Sequence, residues 1–283
     1  MEMVLIDETF DINQTGNYSI SIQAGPDGYA FSVLDPLRNK YILLKHIPFE
    51  GEMSADQLEE RIAGIHGNDE FLARDYKSVL FSWQCPRYTI IPGPLFQKDR
   101  LRAYFEFNHH LEELDEIHYN KLRGADACNV FVIPSEIAGI VHRSYGNVKY
   151  FNQVTPFIEN GLVAHGGKGT RKTVMAGIYG KYVDVAVAEG EKLLLCNTFP
   201  WKDDADLVYF ILYVYDQLKL SGEETPLVIS GEIKKDSDVY GMLRSYIRNT
   251  VFEKRNDHFI YSYTFNDVEA HWFVNLFNLR LCV

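Results

Sequence analysis

The chain has 283 residues, of which 46% are hydrophobic and 24% charged, and this length favours two domains over one. The 39 acidic residues outnumber the 28 basic ones, which leaves a formal net charge of -11. Because such a surface repels phosphate backbones and anionic lipids, the composition argues against nucleic-acid binding and against binding to membrane surfaces.

Three strands and a helix are predicted near the start of the chain. Residues 18–24 and 29–34 alternate apolar and polar side chains, and residues 41–47 form an apolar run, as strands do. Gly25-Pro-Asp-Gly28 supplies the residue types of a tight turn. Ser54 then favours a helix as its N-cap, with acidic residues in the first turns. The pattern predicts a three-stranded meander followed by a helix.

Strands and helices are also predicted between this meander and the middle of the chain. Strands are predicted over residues 78–83, 87–91, 115–121, 127–133 and 148–151. A helix or pair of helices is predicted over residues 95–114, and single helices over residues 134–145 and 153–163. Pro134 suits the first turn of its helix because that position needs no backbone N–H.

The meander and its helix recur in the second half. Strands are predicted over residues 173–179, 182–188 and 192–199, with a tight turn at Gly180-Lys181 and a helix from about 203 to 220. A strand is predicted at residues 227–230, a helix at 236–249, and strands near 251 and at 259–264. The apolar segment 271–282 is expected to dock against a core. Two copies roughly 150 residues apart indicate a duplication. We therefore predict two domains, residues 1–150 and 151–283.

A resemblance to a known fold rests on this repeat and on two segments. The duplicated meander-and-helix order resembles the ribonuclease-H-like fold that is repeated in actin-like ATPases. The whole chain also resembles an uncharacterised Bacteroidetes family known as a domain of unknown function, most clearly over residues 19–35 and 273–282. The resemblance implies an α/β fold with two ribonuclease-H-like domains, whose mixed sheets are flanked by helices. Pilus-assembly proteins of that fold bind peptide segments of partners, so a protein partner is also implied.

The same resemblance assigns a nucleotide cleft. In actin-like ATPases the first turn of each meander carries an Asp-x-Gly for metal and phosphate, and a later strand ends in paired glycines. Here Gln23 replaces the first acid, the second turn has no acid, and Ser230-Gly231 keeps one glycine. The cofactor-binding residues implied are Gln23, Gly25, Asp27, Gly28, Gly177, Gly180, Lys181, Ser230 and Gly231.

These substitutions bear on activity, because magnesium at nucleotide phosphates is held through carboxylates and waters. We therefore expect a non-catalytic binding or scaffold protein, with no catalytic residue and no metal ligand assigned. The alternative is an active ATPase that uses ATP with magnesium and displaced acids, for which the candidates are Asp27, Asp35, Asp184 and Glu232.

Other candidate sites have simpler explanations. Residues 166–173 are rich in Gly and Lys but do not have the Walker A spacing, so they indicate a basic hairpin or linker, with an anion site at Lys168, Arg171 and Lys172 as the alternative. The densest cluster of possible metal ligands comprises His109, His110, Glu112, Glu113 and His118. His109 and Glu113 would share a helical face, and a metal site there competes with an ordinary acidic helix surface. Arg244 and Arg248 could face a nucleotide or lie on an exposed helix face.

The cysteines and the first residues indicate the compartment. Cys85, Cys128, Cys196 and Cys282 are scattered without a Cys-x-x-Cys pair, which favours reduced and buried thiols over a disulfide framework. Residues 2–11 are acidic and mixed and do not have the pattern of a secretory signal. No apolar run approaches the length of a membrane span. The expected location is the cytoplasm, without membrane insertion.

Overall fold

A computed structural model of the protein describes residues 2–166 and 170–283. The strands in this part of the chain are β1 (Met3–Ile6), β2 (Ser19–Gly25), β3 (Gly28–Asp35), β4 (Lys40–Pro48), β5 (Ser78–Trp83), β6 (Tyr88–Pro92), β7 (Asp115–Leu122), β8 (Ala127–Pro134), β9 (Val148–Asn152), β10 (Lys172–Ile178), β11 (Tyr182–Glu189), β12 (Lys192–Pro200), β13 (Leu227–Gly231), β14 (Thr250–Phe252) and β15 (Ile260–Tyr261). The α-helices are α1 (Ala55–Asn68), α2 (Leu101–Glu106), α3 (Ser135–Tyr145), α4 (Val154–Gly161), α5 (Asp204–Gln217), α6 (Asp238–Tyr246) and α7 (Val274–Asn278).

The first large sheet has the strand order β1-β4-β3-β2-β5-β9. Strand β3 runs antiparallel to both β2 and β4, whereas β2, β5 and β9 run parallel to one another. The predicted meander is therefore present, and parallel strands extend it on one side. Strand β1, which the sequence analysis did not predict, pairs with the edge of β4.

The second large sheet repeats this arrangement. Its order is β12-β11-β10-β13-β14, with antiparallel pairing within the meander and parallel pairing from β10 through β13 to β14. The five strands have the same order and directions as β4-β3-β2-β5-β9 of the first sheet. The expected α/β fold with two ribonuclease-H-like units, mixed sheets and flanking helices is confirmed.

A smaller sheet is inserted between β5 and β9. It has the order β6-β8-β7 and encloses a separate apolar cluster around Phe105, Val130 and Val132. The helix or pair of helices predicted over residues 95–114 is shorter than expected, since α2 covers six residues and two 3-10 turns precede it. Phe105 is the α2 side chain that is fully buried, so packing supports a short helix rather than a long one.

Helices cover the sheets, and the start of helix α1 agrees with the N-cap predicted from the sequence. Helix α1 begins after a capping box in which the Ser54 side chain accepts from the Gln57 backbone and the Gln57 side chain accepts from Ser54 N. Helices α5 and α6 pack on the second sheet, where Ile211 and Leu243 are fully buried. The local signals and the tertiary packing therefore agree.

The segment after β14 returns to the first sheet. Strand β15 pairs with β4 in parallel, and the following helical turns pack on the outer face of that sheet. Phe265, Leu276 and Phe277 lie there against Tyr41 and Leu44 in one apolar cluster. The expected docking of residues 271–282 is confirmed, and the core that they join is that of the first sheet.

Among residues 2–166 and 170–283, no helix combines the length and the apolar character needed to cross a membrane.

Candidate functional site

A cleft of about 490 Å³ lies where the two hairpins approach each other. It is bounded by the first turn (residues 25–28, between β2 and β3) and the second turn (residues 179–181, between β10 and β11). The ends of the parallel strands β5 and β13 also contribute to it. In α/β sheets, ligands bind in such crevices beyond the carboxyl ends of strands. The fold therefore provides one concave surface to which both halves of the chain contribute.

Most of the residues that the sequence analysis assigned to the cleft line it. They are Gln23, Asp27, Gly28, Gly180, Lys181, Ser230 and Gly231. Gly25 and Gly177 do not line the cavity. A Cβ at Gly25 would lie 2.6 Å from the Gln84 side chain, and one at Gly177 would lie 3.3 Å from Phe157. These two glycines permit close packing behind the cleft.

The first turn places Asp27 at the mouth of the cleft. The Phe49 backbone N–H donates to the Asp27 carbonyl oxygen at 2.9 Å, which fixes the main chain of the turn. A Cβ at Gly28 would approach the Ile47 carbonyl oxygen to 2.9 Å, so a larger residue does not fit there without movement. The backbone of the turn is held, and the Asp27 side chain projects toward the other lobe.

The Asp27 carboxylate lies against the second turn. A Cβ built on Gly180 would lie 2.9 Å from Asp27 Cγ, so the glycine allows this approach. Burial raises the pKa of Asp27, while the Lys181 charge and the backbone N–H groups of Lys181 and Gly180 act in the opposite direction. The acid of the first turn thus packs closely against the second turn.

Gln23 occupies the position where the resemblance expects a metal-binding acid. Its Oε1 atom is buried and has no hydrogen-bond partner within residues 2–166 and 170–283. On the sheet it lies opposite Ala30 of β3 and Ser82 of β5. Gln23 therefore presents a neutral acceptor at the base of the cleft, because the oxygen of a glutamine amide carries no formal charge.

The floor of the cleft depends on the conformation of Gly231. Its φ is +98°, and a Cβ there would lie 2.0 Å from the Ile178 carbonyl oxygen. The Gly231 N–H donates to the His271 carbonyl oxygen at 3.0 Å. Residues with side chains rarely adopt this backbone conformation. The glycine retained at the end of β13 is therefore a steric requirement of the fold.

His46 and Glu232 form a polar wall that the sequence analysis assigned only in part. Burial lowers the pKa of His46 to about 4, so the imidazole is neutral at pH 7. Its Nε2 lies 3.5 Å from Glu232 Oε1. Burial raises the pKa of Glu232, and the Asp27 charge raises it further. Nothing in the alternation of β4 distinguishes His46 from an ordinary strand residue.

Asp184 and Asp35, two of the displaced-acid candidates, do not line the cleft. Asp184 is fully buried on β11 and accepts a hydrogen bond from the Thr198 hydroxyl. Burial raises the pKa of Asp184 to about 7 despite that hydrogen bond. Asp35 lies at the opposite end of β3 from the first turn, where it accepts from the Leu37 N–H and pairs with Arg38. Only Asp27 and Glu232 of the four reach the cavity.

The C-terminal segment supplies cleft residues that the sequence analysis did not predict. Phe273, Val274 and Asn275 line one side, and Asn275 Nδ2 donates to the Tyr179 hydroxyl. Phe273 has a φ of +57°, an uncommon conformation for a large residue. The apolar pattern predicts that this segment docks, but the tertiary path that brings it to the cleft is not a local property.

The other candidate sites are not assembled as ligand sites. His109 Nε2 contacts the Tyr88 carbonyl oxygen, and His118 lies 3.4 Å from Glu116. Arg244 lies over Tyr240, and Arg248 pairs with Glu223. Within the described residues no group of three or more His, Cys, Asp or Glu side chains is arranged to hold a metal ion.

Neither the described residues of the basic segment 166–173 nor the cysteines contribute to the lining of the cleft. Lys168 lies outside the described residues, and Lys172 begins β10 at the end away from the cleft. The four cysteines are free thiols, as expected, with Cys128 buried and the others half-buried. Burial raises the pKa of Cys196 well above its usual value and raises the pKa of Cys85 as well, which disfavours reactive thiolates.

Comparisons with known proteins give a family match for the sequence and similar solved structures for the fold. Residues 7–250 match the family described as "Protein of unknown function (DUF3822)". A search of functionally curated proteins gave no match. Among solved structures, a Bacteroides thetaiotaomicron protein with an actin-like ATPase fold and unknown function is similar, with a TM-score of 0.76 and 25% identity over 87% of this chain and 94% of that chain.

Two more distant structures share the fold. A type IV pilus biogenesis complex of PilM and PilN matches with a TM-score of 0.62 and 11% identity, covering 93% of this chain and 97% of that chain. The ethanolamine utilization protein EutJ from Carboxydothermus hydrogenoformans matches with a TM-score of 0.51 and 10% identity, covering 99% and 93%. At these identities the likeness concerns the fold alone.

Proposed function

Since the chain belongs to the family described as a protein of unknown function (DUF3822) and has the actin-like ATPase fold, we propose that it is a non-catalytic binding protein that takes a nucleotide into the cleft. The observation that carries the proposal is that Gln23, at the position of the expected metal-binding acid, offers only a neutral oxygen to the cleft. The Asp27 carboxylate packs against the second turn, where a Cβ on Gly180 would lie 2.9 Å from Asp27 Cγ.

The side chains of the cleft do not fit a magnesium ion at nucleotide phosphates. Gln23 offers a neutral oxygen, and the fully buried Asp184 does not line the cavity. Magnesium in nucleotide sites is bound through carboxylates together with substrate phosphates. The backbone N–H groups of the second turn and the Lys181 ammonium can still receive an anion, because oriented amides and a cation favour negative charge.

One observation favours the alternative of an active ATPase. Asp27 and Glu232 both line the cleft, so two of the four displaced-acid candidates reach the same cavity. Two nearby carboxylates could bind a metal if Asp27 left the second turn. The two functions therefore differ in a measurable property, the turnover of ATP.

Calorimetric titration with ATP, with and without magnesium, and a phosphate-release assay test the proposal. We expect ATP to bind, magnesium to add little affinity, and no phosphate release above the buffer rate. Lys181→Glu should weaken ATP binding by about tenfold or more because it places a negative charge at the phosphates. Lys202→Glu is the matched control, since Lys202 is exposed and does not line the cleft.

Two results would contradict the proposal. Turnover that disappears in Asp27→Asn or Asp184→Asn would establish the active ATPase instead. A wild-type protein that gives neither heat of binding nor a thermal shift with any nucleotide would remove the nucleotide from the proposal.

The organisation and setting of the protein are part of the same proposal. We propose that the chain divides into domains at residues 1–150 and 151–283, because each five-stranded repeat lies in its own half except for the end of β9. The last part of the second half, from β15 onward, packs on the sheet of the first domain. A protein partner is proposed from the fold shared with PilM, whose solved structure is a complex with PilN. A cytoplasmic location is proposed from the four free cysteines, and the absence of nucleic-acid binding is proposed from the acidic composition.

A further inference from the structure

A groove of about 700 Å³ lies between helix α1 and the edge of the first sheet. This edge groove is formed by residues 2, 45, 47, 52 and 53 and by parts of 57–69. Its floor is apolar, because Ile47 of β4 and Ile65 of α1 line it and are buried. On the helix side, a Cβ at Gly64 would have no atom within 4 Å. The groove shares Glu52 with the cleft but includes neither hairpin turn.

The strand beside the edge groove has an unpaired side. Strand β1 is the last strand of its sheet, and within residues 2–166 and 170–283 no backbone hydrogen bond reaches the outer side of Met3–Ile6. Val4 lies opposite Lys45 of β4, so both side chains are on the face that bears the groove. Val4 and Ile6 are each 42% exposed. An extended segment that pairs with β1 therefore places alternate side chains on this apolar face.

The charges of the edge groove favour a basic occupant. Lys45 Nζ lies 2.7 Å from Asp69 Oδ2 and 3.0 Å from Glu2 Oε1, so two carboxylates already balance this cation. Glu52 and Glu60 are exposed at the rim. The lining contains four carboxylates and two cations in all, which leaves a net charge of -2. Such a rim attracts a positively charged segment and repels an acidic one.

A second copy of the chain is a poorer occupant of this edge. Antiparallel pairing of two β1 strands would bring Glu2 of one copy close to Glu8 of the other, and both residues are exposed. Acidic residues that flank a short edge strand disfavour such pairing. The unpaired strand and the acidic groove therefore favour a different chain that carries positive charges.

We propose that the edge groove is the docking surface for an extended, basic segment of a partner protein, which adds to β1 as a strand and places its cations at the acidic rim. The inference rests on the protein partner of the proposed function and gives that partner a chemistry, whereas the nucleotide has no part in it. Main-chain hydrogen bonds to β1 supply affinity, and the apolar floor with its acidic rim selects alternating apolar and basic side chains.

Calorimetric titration with a peptide of about eight residues that alternates valine and lysine tests the surface. We expect this peptide to bind and its counterpart of alternating valine and glutamate to give no heat of binding. Hydrogen exchange then tests the mode of binding. The amides of residues 3–6 should exchange about tenfold more slowly in the complex, because strand addition gives the unpaired side of β1 hydrogen-bond partners.

Two pairs of variants locate the peptide. Glu60→Lys should weaken binding about tenfold by reversing a charge of the rim, whereas Glu70→Lys makes the same change in net charge at an exposed residue outside the groove and should have no effect. Gly64→Leu should weaken binding about tenfold by filling the groove. Gly67→Leu is its control, because Gly67 also has no atom within 4 Å of its Cβ position but does not line the groove. The second pair keeps the test valid if Glu60→Lys folds poorly.

No binding of the lysine peptide, or equal affinities within both pairs of variants, would overturn the docking surface. Unchanged exchange at residues 3–6 in the complex would overturn the addition of a strand to β1. A protein that binds ATP but not the lysine peptide would contradict this surface alone. A protein that binds the peptide as expected but no nucleotide would contradict the nucleotide of the proposed function and leave the docking surface standing.

Discussion

Gly231→Ala is expected to destabilise the protein by about 3 kcal/mol or more. The residue has a φ of +98°, and the new Cβ would lie 2.0 Å from the Ile178 carbonyl oxygen. A left-handed conformation for a residue with a side chain costs about 1–3 kcal/mol, and relief of the clash must separate β13 from β10 or break the hydrogen bond to His271. Thermal unfolding should show a decrease in Tm on the order of 10 °C.

Gly64→Ala is the matched control for this experiment. Gly64 lies in α1, has no atom within 4 Å of its Cβ position and has an ordinary helical φ. The same chemical change there should stabilise the protein by about 0.5–1 kcal/mol. Equal effects at the two positions would show that the floor of the cleft does not require a glycine.

Asp184→Asn should make the protein more stable than the wild type at neutral and alkaline pH. Burial raises the pKa of Asp184 from 3.8 to about 7, so the folded protein keeps a proton that the unfolded chain releases. Between pH 3.8 and about 7 this linkage lowers the free energy of unfolding by about 1.4 kcal/mol per pH unit, or about 4 kcal/mol in all. Asparagine does not titrate and avoids this loss.

The measurement is the free energy of unfolding by denaturant at a series of pH values. The difference between Asp184→Asn and the wild type should be smallest near pH 4, grow as the pH rises toward 7 and stay constant above it. Thr198→Val removes the hydroxyl that donates to Asp184 and should move the upper limit of this range to higher pH. A difference that does not depend on pH would contradict the protonated state of buried Asp184.

The sequence predicted the strands well because their signals are local. Residues 18–24 alternate apolar and polar side chains, and residues 173–179 are mostly apolar. The turns between strands contain the Gly and Asp residues that such turns need. The repeat of the same order in both halves was sufficient to predict two meanders, each followed by a helix. Strand β1 was missed because four residues at an edge carry too short a pattern.

The cleft could be predicted only where turn chemistry marks it. The resemblance assigned Asp27, Gly180, Lys181 and Gly231 to one cleft, and all four line the cavity. The assignment was possible because hairpin turns and strand ends can be predicted from the sequence. The contact between Asp27 and the second turn depends on the relative position of the two hairpins, which are far apart in the sequence. The contributions of His46 and Phe273 likewise result from long-range packing, which no local pattern encodes.

The return of the chain to the first sheet has a consequence for the order of folding. Tyr41 and Leu44 on the outer face of that sheet are covered by Phe265, Leu276 and Phe277, which follow them by more than 200 positions. During synthesis the N-terminal strands therefore emerge from the ribosome long before the residues that shield them. We expect this apolar face to be a binding surface for chaperones on the nascent chain, since uncovered apolar surface makes folding intermediates prone to aggregation.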